Sequence, residues 1–217
     1  MLGPLSSSPY LLETNLTEPS VFVVDDDDSV RDAIGMLLES ADLNYRSFAS
    51  AKEFLEFYEN DIGGCLVLDI RMPGMSGLEL QERLANPGRN VPIIFITGHG
   101  DIPMAVEAMR KGAVDFIRKP FGDQELLDRI DEALQTDEAQ RSQQELLQEA
   151  QRLVAEFTLR ELKIFERVCA GQANKVMAIE LSISERTVEI HRGQVMRKSG
   201  ARSLAELVRL KLRLEQS

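Results

Sequence analysis

Acidic side chains follow two of the apolar segments of the chain. Residues 21–30 read VFVVDDDDSV, and Asp69 ends a second apolar segment, CLVLD at 65–69. Two carboxylates ~4 Å apart repel by about 4 kcal/mol at an effective dielectric constant of 20, so a cluster of aspartates needs a positive partner. Oxygen ligands of this kind suit Mg²⁺, which binds one or two carboxylates and keeps water or phosphate oxygens as its other ligands.

Two further polar residues stand at or next to the ends of apolar segments. Thr97 ends PIIFIT at 92–97, and Lys119 ends DFIRK at 115–119. Ligands of an open parallel sheet bind in the crevice outside the carboxyl ends of its strands. We therefore predict that Asp25, Asp69, Thr97 and Lys119 form one pocket, with Mg²⁺ as its cation.

The elements that must position this pocket alternate in type between residues 20 and 135. Short apolar segments, with a weaker one (YRSF) at 45–48, are separated by segments with apolar residues at i, i+3, i+4 and i+7. This alternation is typical of βα units and predicts an α/β fold, a doubly wound five-stranded parallel sheet. Ser50 with Glu53 and Ser76 with Glu79 have the spacing of capping boxes at helix starts.

A helical domain is predicted at the C-terminal end of the chain, over 154–217. Thr158 with Glu161 indicates the start of a first helix, Ser184 the start of a third, and Ser203 with Glu206 the start of a fourth. A short second helix and a three-residue turn precede the third, which is the arrangement of a helix-turn-helix.

The remaining segments are a leader and a linker. Residues 1–19 are predicted to be a disordered N-terminal leader, and residues 136–153, rich in Gln and Glu, a helical linker. The few apolar residues of the linker allow two interpretations: a stripe that packs against a partner, or a solvated helix.

Composition limits the classes of function. The chain has a net charge of −11, but residues 154–217 carry more Lys and Arg than Asp and Glu, so this part remains compatible with nucleic acid. Cys65 and Cys169 show no zinc or disulfide spacing, which fits a reducing cytoplasm. No segment approaches the ~18 apolar residues of a membrane span, and no partner membrane is predicted.

The first part of the chain resembles the receiver domain of two-component response regulators. The matching motifs are DD at 25–26, DIRMPGMSG at 69–77, TG at 97–98 and KP at 119–120. The resemblance implies a flavodoxin-like sheet of strand order 2-1-3-4-5, with Asp69 as the phosphoacceptor for a partner histidine kinase.

The same resemblance implies a role for each pocket residue. Asp26 would bind Mg²⁺ directly, Asp25 mostly through water, and Arg71 through its backbone carbonyl. Lys119 would neutralise charge on the phosphoryl group, and its bond to Pro120 would be cis. Thr97 would donate its hydroxyl, and the switch aromatic would be Phe116. Asp27 and Asp28 are interpreted as acids favoured by the dipole of the following helix.

The second part resembles the LuxR-type helix-turn-helix of NarL/FixJ regulators, most closely the FixJ type. The motifs are TLRE at 158–161, GQANKVMA at 171–178, SERTVEIHR at 184–192 and KSGARS at 198–203. The resemblance places the third helix in the DNA major groove and uses the fourth for dimer contacts. The candidate DNA-binding residues are Lys175, Arg186, Thr187, Glu189, Ile190, His191, Arg192, Arg197 and Lys198; Gly193 is not among them.

These features predict a transcription factor that binds promoter DNA and forms a homodimer when phosphorylated or bound to DNA. Two alternatives remain open. A phosphotransferase or phosphatase with an aspartyl nucleophile would use the same Asp and Mg²⁺, but such enzymes need a second Asp two positions on, where this chain has Arg71. A DNA-binding protein with a vestigial receiver would act without phosphorylation.

Overall fold

The computed structural model describes residues 20–58, 62–85, 91–98 and 102–215. The predicted leader, 1–19, lies outside the described residues. The chain divides into two compact units, with the boundary after Gln140. The elements are β1 Ser20–Val24, α1 Asp28–Ser40, β2 Tyr45–Phe48, α2 Ala51–Phe57, β3 Gly64–Asp69, α3 Gly77–Leu84, β4 Ile93–Thr97, α4 Ile102–Arg110, β5 Asp115–Arg118, α5 Asp123–Ala155, α6 Leu159–Cys169, α7 Asn174–Leu181, α8 Glu185–Ser199 and α9 Leu204–Glu215.

The first unit contains the five-stranded sheet, whose order is β2-β1-β3-β4-β5. Every pair of neighbouring strands is parallel, as helical crossovers between consecutive strands require. The predicted fold class and strand order are confirmed.

Helices cover both faces of the sheet. In β1, Phe22 and Val24 belong to a core that includes Phe54 of α2, whereas Val21 and Val23 pack with apolar residues of α1 and α5. Because both faces are covered, the central strands are apolar at nearly every position. This leaves the strand ends as the places where polar residues gather.

Capping residues start several helices where the sequence predicted them. Ser76 with Glu79 forms a complete capping box before α3, and Thr158 with Glu161 forms one before α6. Ser50 accepts a hydrogen bond from the backbone N–H of Glu53 at the start of α2. Each bond satisfies a donor that the helix itself leaves unpaired.

The predicted linker, 136–153, is not a separate element. It is continuous with the last helix of the sheet unit, so that α5 runs as one helix from Asp123 to Ala155. Ala150 is buried in the core of the helical unit and Leu153 packs against that core, while Leu146 is exposed. Ala150 and Leu153 thus pack within the helical unit of their own chain, and packing of the stripe against a partner stays a prediction.

Asp137 of α5 makes a buried contact with the sheet that the sequence did not suggest. Its carboxylate accepts a hydrogen bond of 2.8 Å from the backbone N–H of Gly64, at the start of β3. Gly64 has a φ of +136°, and a Cβ there would lie 1.9 Å from the Ser20 carbonyl oxygen, so only glycine fits. The contact fixes α5 at the amino end of β3.

The second unit is a helical domain with a core of its own. Ile164, Phe165, Met177, Val188 and Leu207 are among the residues that α6, α7, α8 and α9 contribute to it. A short turn joins α7 to α8, with Ser182 in the left-handed conformation at the end of α7. The predicted helix-turn-helix is confirmed. Within the described ranges, no helix is long and apolar enough to cross a membrane.

Candidate functional site

A pocket lies at the carboxyl edge of the sheet, where the sequence predicted it. Asp25 follows β1, Asp69 ends β3 and Lys119 follows β5. The Lys119 Nζ donates to Asp25 Oδ2 at 2.6 Å and to Asp69 Oδ1 at 2.8 Å. Side chains 94 and 50 positions apart in sequence thus meet through one ammonium group.

Backbone bonds orient the remaining groups of the pocket. Asp25 Oδ1 accepts from the N–H of Asp27 at 2.9 Å, and Asp69 Oδ2 accepts from the N–H of Arg71 at 2.7 Å. Thr97 ends β4 and is buried, and its carbonyl accepts from the Lys119 N–H at 2.7 Å. The Lys119–Pro120 bond is cis, as the resemblance to receiver domains implied. Each polar strand end is therefore held by hydrogen bonds to its neighbours.

Burial sets the electrostatics of the pocket. Burial raises the pKa of the Asp69 carboxyl above its usual value, although the Lys119 ammonium acts in the opposite direction. Burial alone would lower the pKa of Lys119, but its bonds to Asp25 and Asp69 outweigh this and raise it. The lysine is thus held in its charged form, facing a carboxylate that is poorly solvated.

The other acids of the cluster separate into different roles. Asp27 caps α1 by accepting from the Ser29 N–H at 2.9 Å, and Asp28 lies in the first turn of that helix. This confirms their interpretation as helix-terminal acids. Asp26 is exposed.

The carboxylates of the pocket suit Mg²⁺. Among the described residues, no three acidic, histidine or cysteine side chains converge as metal ligands; the convergence is of two carboxylates, Asp25 and Asp69, on Lys119. Since Mg²⁺ needs only one or two carboxylates, with water and phosphate oxygens completing its shell, this hard oxygen set fits the ion.

One residue that contacts the pocket was not predicted from the sequence. Arg31 of α1 donates from Nη1 to the backbone carbonyl of Asp25 at 2.6 Å and also pairs with Asp28. Its side chain is largely buried, and its bond to Asp25 helps fix the β1–α1 junction. In the sequence, only its position one helical turn after the aspartates could have suggested this contact. An exposed arginine could stand at the same position, so the sequence alone does not indicate burial.

Phe116, the predicted switch aromatic, lies in β5. It is half-buried and packs against the core on the α2, α3 and α4 face of the sheet. Its backbone N–H donates to Asp115 Oδ1 at 2.8 Å.

In the helical unit, α8 presents several predicted DNA-binding residues to solvent. Ser184 caps the helix through the Thr187 N–H. Arg186, Glu189 and Ile190 are exposed, and Ile190 is not a core residue because 56% of it is accessible. Val188 fills the core instead. These side chains are free to meet base edges or phosphates.

The other predicted contacts vary in accessibility. Lys175 of α7 and Arg197 of α8 are exposed, and His191 is half-buried. Arg192 Nη1 donates to Asn174 Oδ1 at 2.6 Å, which ties α8 to the start of α7. Gly193 is exposed, with space where a Cβ would stand.

Lys198 has partners within the helical unit that the sequence did not suggest. Its Nζ donates to Glu161 Oε2 at 2.6 Å and to the Glu156 carbonyl at 2.9 Å. Only 24% of its side chain is exposed. Because the ammonium is bonded inside the domain, it is less accessible to DNA than the exposed Arg197, and its assignment as a DNA contact stays a prediction.

Comparisons with known proteins agree with this division of the chain. Residues 21–131 match the family described as response regulator receiver domain, and residues 155–211 match bacterial regulatory proteins of the luxR family. Nodulation protein W of Bradyrhizobium diazoefficiens is 47% identical over 194 residues, covering 89% of this chain and 86% of its own. The transcriptional regulatory protein FixJ of the same organism is 42% identical, covering 91% of this chain and 96% of its own.

Solved structures give the same result. The response regulator StyR superposes with a TM-score of 0.83 at 47% identity, covering 90% of this chain and 98% of its own. Full-length FixJ from B. japonicum gives a TM-score of 0.56 at 41% identity, covering 93% of this chain and 99% of its own. The chain belongs to the two-component response regulators in which a receiver domain is followed by a LuxR-type helix-turn-helix, and it is a DNA-binding transcriptional regulator.

Proposed function

We propose that a partner histidine kinase phosphorylates Asp69, and that this phosphorylation controls dimerisation and promoter binding. The observation that carries the proposal is the ammonium of Lys119, which bonds to both Asp25 and Asp69 at the carboxyl edge of the sheet. A fixed positive charge beside a buried carboxylate is what transfer of an anionic phosphoryl group requires.

The pocket residues divide the chemistry among them. An oxygen of the Asp69 carboxylate attacks phosphorus, the phosphorus–nitrogen bond of the phosphohistidine breaks, and the imidazole of the kinase leaves. The Lys119 ammonium, which pairs with the Asp69 carboxylate before transfer, then pairs with the phosphoryl oxygens. The Thr97 hydroxyl donates a hydrogen bond to one of these oxygens. Asp26, Asp69 and the Arg71 carbonyl would hold Mg²⁺ directly and Asp25 mostly through water, and the ion would supply further positive charge to those oxygens.

Access for the kinase is supported by a cavity beside the pocket. It measures about 480 Å³ and lies between α1 and the segment after β5. Apolar side chains dominate its lining, among them Val30, Leu37 and Phe121, and Lys119 lies at its wall. Exposed apolar surface is typical of protein–protein contact sites, so this surface suits docking of a protein partner.

Dimerisation is supported by exposed apolar residues on α4. Val106 is 47% accessible and Met109 is 44% accessible. Val106 and Met109 lie three positions apart, on one face of the helix. The proposal assigns this face, with the neighbouring β5, to the contact that forms after phosphorylation.

The test is incorporation of phosphate from acetyl phosphate with Mg²⁺. We expect the wild-type chain and D27N to be phosphorylated and D69N not to be. D27N is the matched control because it also removes one acidic charge and because Asn still caps a helix. Phosphate on D69N, or none on the wild-type chain, would contradict the assignment of Asp69.

The same preparations test the output. Oligomer mass and DNA binding are compared with and without the phosphodonor, and we expect both to rise in the wild-type chain and not in D69N. Equal DNA affinity with and without the phosphodonor would indicate a vestigial receiver. Repeated turnover of an organic phosphate would instead support a phosphatase.

A further inference from the structure

The recognition helix α8 ends with two neighbouring basic residues that have different surroundings. Arg197 is exposed. Lys198 turns into the domain, where its ammonium lies 2.6 Å from Glu161 Oε2 and 2.9 Å from the Glu156 carbonyl oxygen. Two residues of the same charge, one position apart, thus face solvent and the domain interior respectively.

The carboxylate that receives Lys198 is itself part of a helix start. Glu161 is only 5% exposed, and its Oε2 also accepts from the Thr158 N–H at 2.7 Å to complete the capping box of α6. One carboxylate oxygen therefore joins the end of α8 to the start of α6. Hydrogen bonds from Lys198 and from Thr158 hold the pKa of Glu161 down to about 2, so it stays ionised at neutral pH.

The second acceptor of Lys198 lies just beyond α5. Glu156 follows Ala155, the last residue of that helix, and its carbonyl oxygen receives the lysine directly. The turn that follows is closed by the Phe157 N–H, which donates to the Val154 carbonyl at 3.0 Å. Lys198 thus contacts the segment that joins α5 to α6, as well as the start of α6.

We propose that Lys198 is a positioning residue for DNA binding, and that its pair with Glu161 fixes the recognition helix against α6 and the end of α5. A charged pair of this kind aligns α8 without touching DNA. The favourable interaction of a cation with the last turn of a helix adds to it. The inference rests on the DNA-binding function of the chain and not on phosphorylation of Asp69.

The first experiment separates positioning from phosphate contact by salt dependence. Binding of full-length K198M, E161Q and R197M is measured at several salt concentrations, on a duplex that the wild-type protein has selected from a random-sequence pool. Losing one phosphate contact makes the negative slope of log K against log salt concentration shallower by about 0.9. We expect K198M and E161Q to weaken binding by similar factors at unchanged slope.

E161Q is the informative variant of this set. Removing a negative charge would by itself tighten binding to DNA, so weaker binding of E161Q under conditions where the variant is folded reports the position of the helix and not a lost phosphate contact. R197M loses the same charge as K198M from the same end of α8 and therefore serves as the matched control; its slope reports the loss of an exposed charge.

The second experiment measures the pair without DNA. The chain has no tryptophan, and its three tyrosines, Tyr10, Tyr45 and Tyr58, all precede the helical unit. Tyrosine fluorescence therefore follows only the first unit, while far-ultraviolet circular dichroism follows both. The unfolding transition without a tyrosine signal is that of the helical unit. We expect K198M and E161Q each to lower the free energy of unfolding of this unit, and the double variant to lower it by less than the sum of the two single effects.

Three results would overturn the proposal: additive losses in this cycle, a slope that becomes shallower by about 0.9 in K198M while E161Q binds normally, or no change in either variant. Should K198M fail to fold, the exchanged pair E161K with K198E decides instead. Recovery of folding and of DNA binding in the exchanged pair supports positioning, and failure to recover either contradicts it. Because the stability cycle involves neither DNA nor Asp69, it stands apart from the test of phosphorylation.

Discussion

Each unit of the chain contains a partly buried lysine that bonds to a buried carboxylate, but the two sites are built differently. Lys119 lies between two carboxylates, Asp25 and Asp69, at the ends of parallel strands. Lys198 lies beside one carboxylate, Glu161, and one backbone carbonyl, between helix ends. The first site has an excess of acid and the second is neutral as a pair.

This difference shows which of the two sites can exchange its cation. Two carboxylates with one ammonium leave a net negative charge, which attracts a further cation or a protonated group. At the second site one ammonium balances one carboxylate, so the pair has no net negative charge to attract another cation. The geometry therefore suits Lys119 to chemistry and Lys198 to structure.

The largest expected effect comes from replacing Lys119. K119M leaves Asp25 and Asp69 facing each other, and loss of one partner from a buried pair costs about 3 kcal/mol, the lower end of the usual range since Lys119 is partly exposed. Because a divalent ion can take the place of the ammonium, Mg²⁺ should restore much of this loss. Denaturation followed by tyrosine fluorescence, with and without Mg²⁺, measures it.

K198M is the control for this comparison. Its stability, followed by circular dichroism, should not respond to Mg²⁺ beyond the response of the wild-type chain. If Mg²⁺ stabilised K198M and had no effect on K119M, the contrast between the two sites would be wrong. The phosphorylation rate of K119M should also fall, about 100-fold, because one electrostatic donor to the phosphoryl group is gone.

An intermediate effect is expected from acid. The pKa of Glu161 is about 2 in the folded chain and 4.5 ordinarily, so its pairing stabilises the fold above pH 4.5, and this contribution is lost as the pH falls towards 2. E161Q should lack this part of the pH dependence. Denaturation followed by circular dichroism at several pH values checks the difference between wild type and variant.

E166Q provides the control for acid, since Glu166 is an exposed residue of the same helix. It should lose stability with falling pH in the same way as the wild-type chain. An E161Q variant that also followed the wild-type curve would mean that the Lys198 pair contributes nothing to folding.

The smallest effect is expected at Gly193, on the exposed side of α8. A Cβ there would meet no atom within 4 Å, and alanine favours a helix over glycine by about 1 kcal/mol. G193A should therefore stabilise the helical unit by up to ~1 kcal/mol without weakening DNA binding. Circular dichroism and the salt titration measure the two quantities.

Gly35 is the matched control, a glycine within α1. A Cβ there would lie 2.6 Å from the Tyr45 hydroxyl oxygen, so G35A should gain nothing from helix propensity. Weaker DNA binding by G193A would show that this position does approach DNA, contrary to the sequence prediction.

The sequence predicted the pocket because a topological rule connects sequence to space. Asp25, Asp69, Thr97 and Lys119 each stand at or next to the end of an apolar segment, and all such ends meet at one edge of a parallel sheet. The five strands and the four C-terminal helices could be predicted because apolar spacing and helix-capping residues are local features of the sequence. Recognising them requires no knowledge of which elements pack together.

No such rule predicts from the sequence which charged side chains of a helix are buried against another element. Arg31, Asp137 and Lys198 have the sequence surroundings of exposed side chains, and only packing against another element turns each of them inward. Lys198 and Arg197 are neighbours of equal charge, so composition could not tell which of them faces the domain interior. The distinction depends on which face of α8 packs in the core, because neighbouring residues of a helix point about 100° apart.

The bond between Asp137 and Gly64 also bears on how the length of α5 can vary among related chains. An inserted or deleted residue before Asp137 would shift its carboxylate by ~1.5 Å along the helix and about 100° around it, away from the only residue type that β3 can present there. Changes of length after Asp137 leave that bond intact. We therefore expect insertions and deletions to be tolerated in this helix only beyond residue 137.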